Sequence, residues 1–424
     1  MPDEIFYWML CALALLAAAD FIRQQKDALR LFRYLSRETR EPAVDRDSLP
    51  KAAVILALRG PDPRLHDTLH ALMAQDYPDF LIQVVVDSDQ DPVLKEVLDA
   101  QATSGRIHVS VLRNPGNNCS LKCSSLIQAV NDLPSDVEIV AFIDGDVVPH
   151  TGWLSELAGP IVAGKADVTG GNRWYLPMDA AWGSYVRYFW NARFMREMWT
   201  QGAPWAGTMA LKRTTIDRIG LLNAWSTAMS VDATLHRCLN AHQQRFKLVG
   251  SLIMTNRESI SVSQFHNWVT RQMAVIRYTA SHTVRSVQVH IAILLLIHLL
   301  AVSLAAVEIA GGEFQKGCLA LLVLTVYWFT LSLGATVHEY YIRICLRKRG
   351  EDASWITPLK ALLWFPAIIL THWVLIYGVL KSLRMTAVNW RGISYQLLSN
   401  GRVRMINYHP FAAKWSPTDN RSVI

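Results

Sequence analysis

From residue 51 to about residue 257, short apolar runs alternate with amphipathic stretches. The runs AAVILAL (52–58), LIQVVVD (81–87), RIHVSVL (106–112) and EIVAFID (138–144) are brief and rich in Val or Ile, which predicts buried strands. Residues 63–75, 92–102 and 120–131 lie between them and read as helices. Strand–helix alternation of this kind predicts an α/β domain with a mainly parallel sheet. Ligands in such sheets sit beyond the carboxyl ends of the strands. That rule points to Arg59, Asp87 and Asp144, where three of the runs close.

Outside this region the pattern changes to long apolar stretches. Residues 291–310, 317–336 and 361–380 each approach the roughly 20 apolar residues that cross a bilayer, the last with Pro366 inside. Residues 5–22 form a shorter N-terminal candidate, interrupted by Asp20. Asp3 and Glu4 precede it, and Arg23, Lys26, Arg30 and Arg33 follow it. That charge order is the reverse of a signal peptide, so a retained anchor is expected. The basic flank places the middle region in the cytosol. The expected organisation is an anchor (1–22), a basic, polar linker (23–50), the α/β domain (51–257), an amphipathic juxtamembrane segment (258–287), a membrane region (288–380) and a basic tail (381–424). Four full spans would put that tail outside, whereas Lys381, Arg384, Arg391, Arg402 and Arg404 favour the inside. Either the Pro366 segment is re-entrant or a short basic tail breaks the rule, and a cytosolic tail is the preferred outcome.

Composition agrees with a membrane protein: 51% of the 424 residues are hydrophobic and only 18% charged. The net charge of +7 suits an anionic membrane face or a nucleotide diphosphate. No basic run or motif indicates nucleic acid. The six cysteines show neither zinc-ligand nor disulfide spacing. His66 and His70 lie four apart without a third ligand, so they read as a solvated helix face. The aromatic, Arg-bearing stretch 182–199 reads equally as a helix lying on the membrane or as one docked on the sheet.

The sharpest chemical feature is FIDGDVVP (142–149). A strand that runs into Asp144-Gly-Asp146 can share Mg²⁺ or Mn²⁺ with a diphosphate, because these ions take carboxylate and phosphate oxygens. In VVVDSDQDPV (84–93), Asp87, and after it Asp91, can accept hydrogen bonds from a base or ribose, although Asp91 also suits a helix start. Asp232 opens a helix in MSVDATLHRCL, where it reads either as an N-cap or as the carboxylate that takes an acceptor's proton. Lys122 either reaches a phosphate or stays exposed.

As an ordered set these segments resemble the ceramide glucosyltransferases, which are inverting enzymes with a nucleotide-sugar-binding GT-A domain. LRGPDPRLHDTLHALMAQDYPDF and the acidic cluster ending in Asp-Pro look like the family's first motif region, and IDGDVVP looks like its second. The SVD at Asp232 stands where the family has its catalytic base, although Val231 replaces the usual Glu. NWRGISYQL (389–397) looks like its C-terminal Trp-Arg-Gly segment. The resemblance covers roughly residues 35–410.

The family's (Gln/Arg)-x-x-Arg-Trp motif is altered in SVSQFHNWVTRQMAVIR (261–277). One frame keeps Gln264 and Trp268 as acceptor-side residues. The other keeps Arg271, preferred here because a cation stabilises a leaving diphosphate. The resemblance implies a UDP-glucose donor and a ceramide-like lipid acceptor. Two rivals stand beside it. A processive polysaccharide synthase shares the acids but usually needs more spans. A catalytically silent membrane scaffold would account for the altered motifs.

Overall fold

The computed structural model describes residues 1–38, 48–179, 181–351, 353 and 357–411. Part of the expected linker, 39–47, and the last part of the tail, 412–424, lie outside them.

The α/β domain contains β1 (Ala52–Leu58), α2 (Leu65–Met73), β2 (Phe80–Val86), α3 (Val93–Thr103), β3 (Ile107–Val111), α4 (Leu121–Asn131), β4 (Ile139–Ile143) and α5 (Trp153–Val162), following α1 (Asp3–Glu38). It continues with β5 (Val168–Tyr175), α6 (Trp182–Gln201), β6 (Thr208–Lys212), α7 (Arg213–Arg218), α8 (Leu221–Trp225), α9 (Val231–Ala241) and β7 (Phe246–Asn256). Seven strands form one sheet in the order β3-β2-β1-β4-β6-β5-β7. The strands β1 to β4 are mutually parallel, and β6 runs antiparallel to both of its neighbours.

The first strands are apolar throughout because both faces are covered. In β1, Ala53 and Ile55 join the core under α4, α8 and α9, whereas Val54, Leu56 and Leu58 join the core under α2, α3 and α5. Val140 and Phe142 of β4 divide from Ile139, Ala141 and Ile143 in the same way. The strand order reverses between β1 and β4. A ligand cleft is therefore expected beyond the carboxyl ends of this pair.

After the domain come α10 (Val262–Thr279), α11 (Ser281–Ala310), α12 (Phe314–Lys348) and α13 (Pro358–Ser382). Among the described residues, four helices are long and apolar enough to cross a membrane: Asp3–Leu35, His282–Ala310, Phe314–Lys348 and Leu362–Ser382. The first is much longer than the expected anchor. Ala28, Leu31, Phe32 and Leu35 recur at helical spacing on its buried side and carry it into the expected linker as far as Glu38. At its outer end, Asp3 pairs with Lys316 at 2.6 Å, and the Met1 amine lies 3.6 Å from Glu308. The start of α1, the end of α11 and the start of α12 thus share one end of a three-helix bundle. The other end of α12 meets the domain, where Arg349 donates to the Ile253 carbonyl at 2.6 Å.

The α6 segment docks on the sheet, as one of its two expected readings has it, and lies between the sheet and the apolar helices. Its Tyr188 meets Trp174 of β5 at 5.6 Å between ring centroids, and its Phe189 meets Trp364 of α13 at 5.2 Å.

The tail differs most from expectation. It folds into an antiparallel meander of β8 (Ala387–Trp390), β9 (Ile393–Leu397) and β10 (Val403–Asn407). Val388, Ile393, Tyr395, Leu397, Val403 and Met405 point into the domain core. The Leu121 amide at the start of α4 donates to the Tyr395 hydroxyl (3.2 Å), and the Met405 amide donates to the Asn117 carbonyl (2.7 Å).

Candidate active site

Asp144 and Asp146 follow β4 directly, in the cleft that the strand order creates. Lys122, in the first turn of α4, donates to Asp144 Oδ1. It is aimed there because Ser120 caps the helix, accepting from the Cys123 amide at 3.3 Å. Arg173 of β5 lies 2.7 Å from Asp146 and 3.5 Å from Asp144. Its guanidinium also stacks 4.7 Å from the Trp205 ring centroid. Burial raises a carboxyl pKa, but Lys122 and Arg173 outweigh it and hold Asp144 below the usual carboxylate range. Burial likewise pulls the Lys122 ammonium down, but Asp144, Asp232 and Asp146 win and raise it.

Asp232 is not the helix cap. Ser230 caps α9, accepting from the Ala233 amide at 3.2 Å. That leaves the Asp232 carboxylate free to face the cleft, where it accepts the Ala206 amide at 2.7 Å. Burial pushes its pKa up to about 6, against the pull of Lys122 and the Ala206 bond. A carboxylate poised there is ionised at neutral pH yet basic enough to take a proton.

Two arginines complete the cleft. Arg391 occupies the two-residue turn between β8 and β9, with φ of 46° followed by 79° at Gly392. Two positive φ values are what a type I′ hairpin turn requires. A side chain in that conformation is uncommon, and here it carries a cation whose field acts on Asp144. Arg391 Nη2 lies 3.6 Å from Asp62. Arg271, half-buried on α10, has neither a hydrogen bond nor an ion pair among the described residues. Burial and the neighbouring Arg391 bring its pKa down to about 10, so it stays charged at neutral pH.

Other expected residues are engaged elsewhere. The Asp91 carboxylate accepts the Gly60 amide at 2.8 Å and the Val93 amide at 3.1 Å, so it pins the loop after β1 and starts α3. In this structure Asp91 holds that loop rather than an open ligand site. Asp87 is enclosed by Arg59, the Phe411 amide (2.9 Å) and the Tyr408 hydroxyl (3.2 Å). Burial raises its pKa in spite of Arg59. Gln264 forms a capping box with Ser261 at the start of α10, which commits its amide oxygen to the helix. Trp268 packs edge-on against Trp190 of α6 at 4.6 Å, in an apolar cluster shared by α6, α10 and α13.

Arg173, Trp205 and Arg391 were not singled out from sequence as site residues. The only signal lay in Trp-Arg-Gly, a turn with a charged tip.

Among the described residues, no three His, Cys, Asp or Glu side chains gather into a metal site. Asp144 and Asp146 nevertheless suit a divalent ion that is shared with a diphosphate, since Mg²⁺ typically uses one or two carboxylates and takes its other ligands from phosphate and water.

A largely parallel α/β sheet of GT-A type thus carries paired acids and cations beyond its central strands, and several helices apolar enough to cross a membrane are attached to it. The chain belongs to glycosyl transferase family 21, whose profile matches residues 7–403. No functionally curated protein matches it. Among solved structures, it is similar to the mannosyltransferase PcManGT from Pyrobaculum calidifontis in complex with GDP-Man and Mn²⁺. The identity is 16% and the TM-score 0.46, over 88% of this chain and 99% of that one. It is also similar to GalNAc-T7 with UDP, GalNAc and Mn²⁺ (12%, TM-score 0.38, 50% of this chain and 44% of that one). A mycobacterial protein matches at 14% identity and a TM-score of 0.37, over 55% of this chain and 78% of that one.

Proposed function

We propose that the protein transfers a hexose, glucose by its family resemblance, from a UDP-sugar to the hydroxyl of a ceramide-like lipid, with inversion, at the cytosolic membrane surface. Asp232 takes the proton of the acceptor hydroxyl as its oxygen attacks the anomeric carbon. The bond from that carbon to the diphosphate oxygen breaks, and UDP leaves with the electron pair. Arg271 and Lys122 stabilise the charge that develops on the leaving diphosphate. Asp144 and Asp146 would hold Mg²⁺ or Mn²⁺, which would supply further neutralisation of the diphosphate. Trp268 and its aromatic neighbours offer the acceptor chain an apolar surface between α6 and α10.

The observation that carries this reading is Asp232 itself: its carboxyl sits in the cleft with a pKa of about 6, within the fields of Lys122 and Asp144. The membrane arrangement supports it as well. The chain is on the domain's side both before and after α13, because Arg349 meets β7 and the meander meets α4. On this reading α1, α11 and α12 cross, and α13, packed against α6, α10 and α12, does not.

The test compares lipids from ceramide-supplied cells expressing wild type or Asp232→Asn. A lipid heavier by one hexose is expected with wild type only. The same lipid in both strains excludes Asp232 as the base, and its absence from both removes ceramide as the acceptor.

A further inference from the structure

The chain's own C-terminal segment stands on the acid assigned to the nucleotide. Beyond β10 the meander ends, and Tyr408–Phe411 leave the sheet to cross the ends of β1 and β2. The Phe411 amide donates to Asp87 Oδ2 at 2.9 Å, and the Tyr408 hydroxyl to Oδ1 at 3.2 Å. Arg59 donates to the His409 carbonyl at 2.9 Å, and the Ser88 hydroxyl to the Phe411 carbonyl at 3.0 Å. The Phe411 ring centroid lies 5.5 Å from the Arg59 guanidinium carbon. The ring fits there because residue 60 is glycine, whose added Cβ would stand 2.6 Å from it.

A base imide N–H, ribose hydroxyls and an aromatic face are what a nucleoside would bring to this place. The segment brings an amide N–H, a hydroxyl and an aromatic face. The Asp87 side chain is 0% exposed, so neither oxygen is open to a ligand while the segment stays. The segment can leave alone, since the meander has its own anchors at Leu121 and Asn117.

We propose that Tyr408–Phe411 is a built-in occluder of the nucleoside pocket, displaced when a uridine nucleotide binds at Asp87. The proposal rests on the donor reading above and adds that the site is closed in the free protein. Because the site is closed at rest, the apparent nucleotide affinity is the intrinsic affinity multiplied by the fraction open.

The test uses the full chain in nanodiscs with UDP and Mn²⁺. Hydrogen exchange is followed in the peptide that spans residues 403–411, and UDP affinity is measured by calorimetry for wild type and for Tyr408→Phe/Phe411→Ala. UDP is expected to speed exchange at the Phe411 amide, and the double variant to bind UDP about tenfold more tightly. Slower exchange on UDP binding overturns the proposal, as does weaker binding by the variant. Either result makes the segment a pocket wall and leaves the donor reading intact. The exchange arm needs no variant, so misfolding of the double variant cannot mask the answer. Absence of UDP binding by both proteins would sink the donor reading and the occluder together.

Discussion

The guanidinium of Arg173 lies 2.7 Å from Asp146 Oδ1, so one of the two acids suited to a metal is already neutralised by the protein's own cation. A divalent ion must therefore compete with Arg173, and the incoming diphosphate gives Arg173 an alternative partner. Metal binding should be weak alone and stronger with UDP. Arg173→Ala should raise Mn²⁺ affinity without nucleotide by about tenfold, since a unit charge about 4 Å away contributes about 1 kcal/mol in water and more in a partly buried site. Electron paramagnetic resonance of free Mn²⁺ reads this directly. Unchanged or weaker binding in the variant would show that Asp144 and Asp146 do not hold the ion.

The pH dependence follows from Asp232. Burial raises its pKa to about 6, and in the proposed mechanism the ionised form is the one that takes the proton. Transfer should therefore be complete above that value and fall about tenfold per unit below it. Lys122 favours the ionised form, so Lys122→Met should move this acidic limb to higher pH as well as slow the reaction. A limb that stays in place in the variant would assign it to another group.

Much of this was legible in the sequence. Strands β1 to β4 could be placed within a residue or two because strands buried on both faces read as unbroken apolar runs. The direction of β6 was not legible, since strand orientation leaves no compositional trace. Asp144 and Asp146 announced themselves at a strand end, but Arg173 did not, because its partners reach it only through sheet pairing. The meander was masked by its own charges. Ile393, Tyr395 and Leu397 alternate as a half-buried strand should, yet Arg391, Arg402 and Arg404 made the stretch read as a basic tail. The same masking hid the second half of α1, where basic residues lie between inward-facing Ala28, Leu31 and Leu35.

Arg271 separates a leaving-group role from a structural one. It has no partner among the described residues, and its neighbour Arg391 repels it. An anion is the natural occupant of such a place. If its work is done on charge that develops as UDP departs, Arg271→Ala should lower kcat about 100-fold with little change in donor KM. Arg271→Lys should recover part of the loss, because the charge returns without the fork geometry. A rise in KM at unchanged kcat would instead make Arg271 a ground-state donor contact.

The position of the tail supports the proposed number of crossings. Gly378 of α13 packs on Val269 and Thr270 of α10, and Arg277 reaches the Met385 carbonyl just beyond the helix. On the proposed arrangement the chain leaves α13 on the side where it entered, and the basic meander stays with the domain, as the positive-inside rule prefers. The exposed Gln396 of β9 and Glu313, between α11 and α12, should then lie on opposite sides of the membrane. With Cys11 and Cys318 replaced by Ser, a membrane-impermeant maleimide should label Glu313→Cys on intact cells. It should label Gln396→Cys only after the cells are opened. Labelling of Gln396→Cys on intact cells would mean that α13 crosses, and that the meander cannot sit on the catalytic domain as this structure has it.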